Sequence, residues 1–266
     1  MSVVPVLLYH AVTETPGDHV GPYTVTPRMF EQQLDAVIAE GFTCITFEQF
    51  VAGQTNNELW PPKPAVITFD DGYADFASNA LPALLARNLV STMFLNTGWL
   101  EGRPGRAKGP TDKMLDWSQV KELDAAGVEI GAHSHNHYEM DTLSKQTLRD
   151  ELHVPKVLLE DELSKPISTF AYPHGYNGMR VRAATKRAGY TSAAGVRMAL
   201  SHQRDHAFNI ARLMLGSDTT PERFDQWLKR SNTPVAKAGE SPLTTGWRIL
   251  RRTKATLRHT PGSVYT

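Results

Sequence analysis

Ala65-Val66-Ile67-Thr68-Phe69-Asp70-Asp71-Gly72-Tyr73 decides how the rest of the chain is read. A short apolar run, bounded in front by Pro64, reads as a strand and ends in two adjacent carboxylates and a glycine. In parallel α/β folds the C-terminal ends of the strands face the active site. Successive side chains on an extended backbone diverge, so one Asp can bind a cation while its neighbour stays free as a base. Gly72 lets the chain turn sharply away. The ordinary alternative is a solvated Asp-Asp-Gly turn.

Outward from this stretch, short apolar runs alternate with amphipathic ones. Val3 to Tyr9, Thr43 to Thr46, Val90 to Leu95, Val128 to Ala132, Ser168 to Tyr172, Tyr190 to Gly195 and Asn209 to Leu215 are strand candidates. Thr26-Pro27 caps a helix that carries Phe30, Leu34, Val37 and Ile38 and closes at Gly41. Helical stretches follow at Ala74 to Leu89 with a break at Pro82, at Ser118 to Ala126, at Ser144 to Leu163 with an interruption near Pro155, and after Thr220-Pro221. The order β-α-β-α, repeated about seven times, predicts an α/β fold with a parallel sheet. The length of 266 residues favours a distorted (β/α)7-type barrel in a single domain. We expect residues 1–230 to form the catalytic domain and residues 231–266 a basic C-terminal extension.

Composition excludes several classes. Lys plus Arg and Asp plus Glu are both 28, so no global basic footprint for nucleic acid exists. The only cysteine, Cys44, rules out an intrachain disulfide. A chain of this length buries a core without a metal staple, so a metal here is expected to be catalytic. The start lacks a basic n-region and a cleavage site, which gives the expectation of a cytoplasmic protein; removal of a leader would leave the same start.

Two more polar clusters end predicted strands. Gly131-Ala132-His133-Ser134-His135-Asn136-His137 places two histidines four apart, and in a helical turn both imidazoles share one face. Two His and one carboxylate leave coordination positions open for water and substrate; a surface His-rich loop is the alternative. Phe170-Ala171-Tyr172-Pro173-His174-Gly175-Tyr176 could wall a pocket or be a plain aromatic turn. His10 ends the first strand and would lie on the same face.

These residues resemble the polysaccharide deacetylase family (the NodB-homology domain, carbohydrate esterase family 4) from about Val3 to Lys229. Thr68 to Tyr73 is similar to its first motif, which implies Asp70 as the base and Asp71 as a metal ligand. His133 to His137 is similar to the second motif, which adds both histidines as ligands. The third motif usually carries an arginine; here the run is Ala171-Tyr172-Pro173-His174, and Arg212 could take the arginine's place in space. Tyr9-His10-Ala11-Val12, Trp117-Ser118 and the aromatic third motif resemble the circularly permuted subgroup acting on poly-β-1,6-N-acetylglucosamine and related exopolysaccharides. That subgroup implies His10 as the general acid, with His202 in Leu200-Ser201-His202 as the rival.

The resemblance implies metal-assisted hydrolysis of the N-acetyl amide of an N-acetylhexosamine glycan or glycolipid. The implied metal is Zn²⁺, with Co²⁺ or Ni²⁺ as alternatives. A backbone N–H near His174 is expected at the oxyanion. Tyr73, Trp117, Tyr172, Pro173, His174 and Arg212 are the candidate substrate-binding residues. Rival readings are hydrolysis of a small non-peptide amide on the same fold and a non-catalytic metal- or glycan-binding protein.

From Lys229 to Thr266 there are eight Lys or Arg and one acidic residue, Glu240. Trp247, Leu250, Lys254 and Leu257 follow helical spacing. This segment could contact an anionic membrane surface or a polyanionic glycan, or simply pack as a frayed helix on the barrel.

Overall fold

Val6–Tyr9 (β1), Thr43–Ile45 (β2), Pro64–Asp71 (β3), Thr92–Leu95 (β4), Glu129–Ala132 (β5), Thr169–Ala171 (β6), Ser192–Ala194 (β7) and Leu213–Met214 (β8) form one all-parallel sheet. The computed structural model describes residues 2–103, 106–237, 239 and 242–258. The strand order is β7-β6-β5-β4-β3-β1-β8, with β2 paired to the start of β3. The sheet curls into a half-barrel. Its edges meet ahead of β8, where Ile210 bridges Ala194 and the Gly195 N–H donates to the Ile210 carbonyl at 2.8 Å. The (β/α)-type barrel read from the sequence is the fold observed.

All eight residues of β3 are buried, as a strand covered on both faces requires. Its side chains alternate between two cores. Ile67 and Phe69 join Leu7 and Tyr9 in the layer under the helices. Val66 joins Val6, Phe94 and Ile210 in the barrel interior. The two-residue period therefore sends Thr68 and Asp70 inward above Val66, and His10 inward above Val6. This parity builds the site.

The helices are Pro27–Ala39 (α1), Phe47–Thr55 (α2), Leu81–Leu85 (α3), Trp117–Ala125 (α4), Lys145–Leu163 (α5), Met179–Arg187 (α6), Pro221–Leu228 (α7) and Pro242–Arg258 (α8). Side-chain caps at Thr26, Thr46, Asp116, Ser144 and Thr220 explain five of the starts. Two helices, α2 and α6, are additional to the sequence reading; the Thr46–Gln49 capping box is the local signal for the first.

Three expectations are corrected. The run Val3 to Tyr9 is two strands: Val3–Val4 pairs antiparallel with Ser201–His202, and Pro5 separates it from β1. α5 runs unbroken through Pro155, because Leu148, Leu152 and Leu159 stay buried on both sides of it and the packing outweighs one missing backbone bond. Ala74 to Leu89 is helical over 76–85, a π-helical stretch at Phe76–Ala80 running straight into α3; the break expected at Pro82 is instead this change of helical form just before it.

Candidate active site

Asp70 leaves the end of β3 pointing inward and meets Arg212. The guanidinium donates to both carboxylate oxygens, each at 2.7 Å. Arg212 is itself fully buried, and it also donates to the Gly195 carbonyl at 3.0 Å and to Thr68 Oγ1 at 3.2 Å. Burial pushes the Asp70 carboxyl up, but Arg212, His133 and His10 together outweigh it and hold its pKa below the usual range. Asp70 is an oriented carboxylate, ionised at neutral pH.

Asp71 does not diverge from it. The extended-strand expectation fails because Asp71 adopts φ +75°, and the Gly72 N–H closes back onto the Asp70 carbonyl at 3.0 Å. This is the rare form of the γ-turn, strained for a non-glycine residue. Gly72 follows at φ +94°, and a Cβ there would sit 2.8 Å from Leu95 Cδ2, so only glycine fits. The turn brings both carboxylates to one cavity.

His133 and His137 approach Asp71 from the end of β5. Asp71 Oδ1 lies 3.4 Å from His133 Nε2 and 3.2 Å from His137 Nε2. One ligand atom from each of the three lies within 4.8 Å of the others, and all three residues are buried. Asp71 Oδ1 has no hydrogen-bond donor of its own. Zinc–ligand bonds of about 2.0–2.1 Å give tetrahedral edges of about 3.3 Å, so this donor set fits a divalent cation. The His133 Nδ1 contacts the Ala171 carbonyl at 2.9 Å, which leaves Nε2 for the cation.

The two histidines are not on a helical turn. The segment is irregular, with Ser134 at φ +66° and His137 at φ +56°. Glu151 of α5 holds it: this carboxylate is 2% exposed and accepts from the His135 and Asn136 N–H groups at 2.9 and 2.8 Å and from the Asn136 side chain. Glu151 was missed in the sequence. Its signal is a charge inside the buried stripe of α5, between Leu148 and Leu152.

The sequence from 59 to 193, just over half of the 266 residues, matches the polysaccharide deacetylase family model. The chain belongs to the polysaccharide deacetylase family. It is 27% identical over 184 residues to the Bacillus subtilis protein YxkH, named as a polysaccharide deacetylase; the match covers 69% of this chain and 61% of that one. Its fold is similar to that of the Streptococcus pyogenes deacetylase PplD in complex with acetate (TM-score 0.75, 24% identity, 85% of this chain and 98% of that one). A Bacillus anthracis structure titled as a polysaccharide deacetylase superposes with a TM-score of 0.71 at 25% identity, over 85% of this chain and 69% of that one.

In this family member the donor set opens onto a cavity of about 430 Å³. His10, Tyr73, His174, Tyr23, Tyr176 and Met214 are among its walls. The His10 Nδ1 is buried without a partner, and its ring lies 5.3 Å from that of Tyr23. Burial lowers the pKa of His10, aided by Arg212 and His133 against the pull of Asp71 and Asp70. His174, at φ +57°, sets its ring edge-on to His137 at 4.7 Å; burial, then His137, depress its pKa to about 3. Trp99, which the sequence reading passed over, supports the other side of His137 at 4.7 Å.

Four substrate-binding candidates lie elsewhere. Tyr172 is fully buried among Phe170 and the helix layer, with its hydroxyl on the Phe208 carbonyl. Pro173 is buried and does not line the cavity. Trp117 starts α4 in the same core, under Arg103. Arg212 stands behind Asp70 and presents no free face. The parity of β6 explains Tyr172: Phe170 and Tyr172 point outward, and Ala171 points in. His202 lies at the opposite end of the barrel, paired to Val3, with Nε2 on the Ala236 carbonyl.

Proposed function

We propose that this chain is a metal-dependent deacetylase that hydrolyses the N-acetyl amide of an N-acetylhexosamine glycan or glycolipid. One observation carries the reading. A carboxylate clasped by arginine, an Asp-His-His donor set and a further histidine line a single cavity.

Asp71, His133 and His137 would hold the cation, Zn²⁺ or alternatively Co²⁺ or Ni²⁺. Bound there, it would polarise the amide carbonyl and lower the pKa of water. Asp70 takes the proton of the attacking water. Arg212 keeps that carboxylate ionised and aimed, so the base is ready before substrate arrives. An amine is a poor leaving group until protonated, and His10 supplies that proton. The turn carrying His174 is the proposed source of the backbone donor to the oxyanion. Tyr73, Tyr23 and Tyr176 line the cavity that would take the sugar.

Acetate release from β-1,4 and β-1,6 N-acetylglucosamine oligomers tests this, with the zinc-loaded protein run beside Asp70→Asn. Acetate from the parent alone supports the reading, and the preferred linkage names the glycan class. Zinc bound at one per chain with no acetate from either protein would move the assignment to a small-amide substrate or to a binder without turnover.

A further inference from the structure

Among the described side chains of α8, two arginines make the contacts to the barrel, while Trp247, Ile249 and Leu250 face away from it. Arg251 donates to Oδ2 of the buried Asp141 at 2.5 Å and lies over the Tyr176 ring at 3.6 Å. Arg248 reaches the same Asp141 oxygen at 3.8 Å. Both arginine side chains are only 17% exposed, whereas Trp247, Ile249 and Leu250 are 59%, 63% and 43% exposed. At about 100° per residue, the mean direction of Ile249 and Leu250 is about 180° from that of Arg248 and Arg251. A surface helix ordinarily turns its apolar stripe inward; here the described large apolar side chains, Trp247, Ile249 and Leu250, turn to solvent. The side chain of Leu257, which the sequence spacing adds to the stripe, lies outside the described residues.

The charge around the stripe indicates what covers it. Pro242–Arg258 contains five Lys or Arg and no carboxylate. Arg252 and Lys254 are exposed and flank the apolar face on its two sides. Met179, 85% exposed, follows Gly178, the residue packed under Arg248, so a further apolar side chain stands beside the helix. Apolar residues edged by cations, with a tryptophan at the margin, match the boundary of an anionic bilayer: the side chains enter at headgroup depth and the cations meet phosphates.

We propose that α8 docks this protein on an anionic phospholipid surface through Trp247, Ile249 and Leu250. The inference stands independently of the deacetylase reading. Where both hold, the Arg251–Tyr176 contact ties the docked helix to a wall of the catalytic cavity, so the cavity works close to the lipid.

The test is co-sedimentation of the full chain with vesicles of phosphatidylcholine, with and without phosphatidylglycerol, alongside quenching of tryptophan by spin-labelled acyl chains. Binding is expected to the anionic vesicles alone, to weaken with salt, and to show quenching that Trp247→Phe removes. The double variant Ile249→Ser/Leu250→Ser keeps the charge and Arg252→Gln/Lys254→Gln keeps the apolar face; each should weaken binding at least about tenfold. All these positions are exposed, so unchanged melting temperatures would show that the variants stay folded. No binding to anionic vesicles at low salt would overturn the proposal. So would undiminished binding by Ile249→Ser/Leu250→Ser, which would mean adsorption by charge alone. A dimer in light scattering that this same variant dissolves would assign the face to a second copy instead.

Discussion

Arg212 clasps Asp70 through two N–H···O bonds of 2.7 Å across 142 positions of sequence. The run Ala171 to His174 carries no arginine, and the one against Asp70 comes from the segment entering β8. Ala171 then serves in another way, offering its carbonyl to His133. Asp70, the proposed base, and His133, a candidate metal ligand, are thus each oriented by an element that follows them in the chain.

Arg212→Lys keeps the charge but loses the two-pronged geometry. We expect kcat/KM for acetate release to fall by at least about tenfold, since slight misplacement of a catalytic group is costly. Arg212→Gln leaves Asp70 to the effect of burial, which raises its pKa. The acid limb of the pH–rate profile should therefore move to higher pH, and the melting temperature should drop, because an unpaired buried charge costs about 3–5 kcal/mol. An unmoved acid limb would contradict the assignment of Asp70 as the base.

Asp70→Asn and His10→Ala should each lower the rate by about 10²-fold or more while zinc still binds at one per chain. His133→Ala should lose zinc and activity together, and chelation of the wild type should reproduce that loss. Metal analysis beside an acetate assay separates the two classes.

Glu151→Gln should weaken zinc binding by about 10–100-fold, the usual cost of losing a partner that supports metal ligands. Far-UV circular dichroism should not change, because α5 packs through its leucines. Competition with a chelator of known affinity measures the effect; unaltered affinity would reduce Glu151 to a packing role.

Asp75 Oδ1 accepts from the Val12 N–H at 2.7 Å, and burial pushes the Asp75 carboxyl up to about 6. An unfolded Asp titrates at about 3.9. Between these values the folded state holds more protons than the unfolded one, so Asp75 makes the protein less stable as pH rises from about 4 to about 6. Asp75→Asn keeps an acceptor for Val12 and abolishes that slope. Urea midpoints should show the variant gaining on the wild type across this window and more stable at pH 7.

The candidate catalytic and metal-ligating residues were legible because they are local. Asp70, Asp71, His133 and His137 sit in short motifs at strand ends, and all four fall within the matched stretch 59 to 193. His10 and Arg212 lie outside it. His10 could be placed by strand parity, since it shares the inward period of Val6. The same period argues against Tyr172 as a wall residue, yet without knowing which face of β6 is inside, its ring read as part of a pocket.

The sequence by itself determined the alternation of strands with most of the helices and the parallel sheet, because two-residue and 3.6-residue periods and terminal caps are written in neighbouring residues; the candidate donor set came from short motifs and the family they resemble. Tertiary structure alone decided the rest. The positive φ of Asp71, which turns two carboxylates onto one cavity, has no composition signal. The partners Arg212 and Glu151 are chosen by packing between distant elements. The facing of α8 follows from contacts with distant residues: buried Asp141 and the Tyr176 ring hold Arg251 inward, and Ile249 and Leu250 face out.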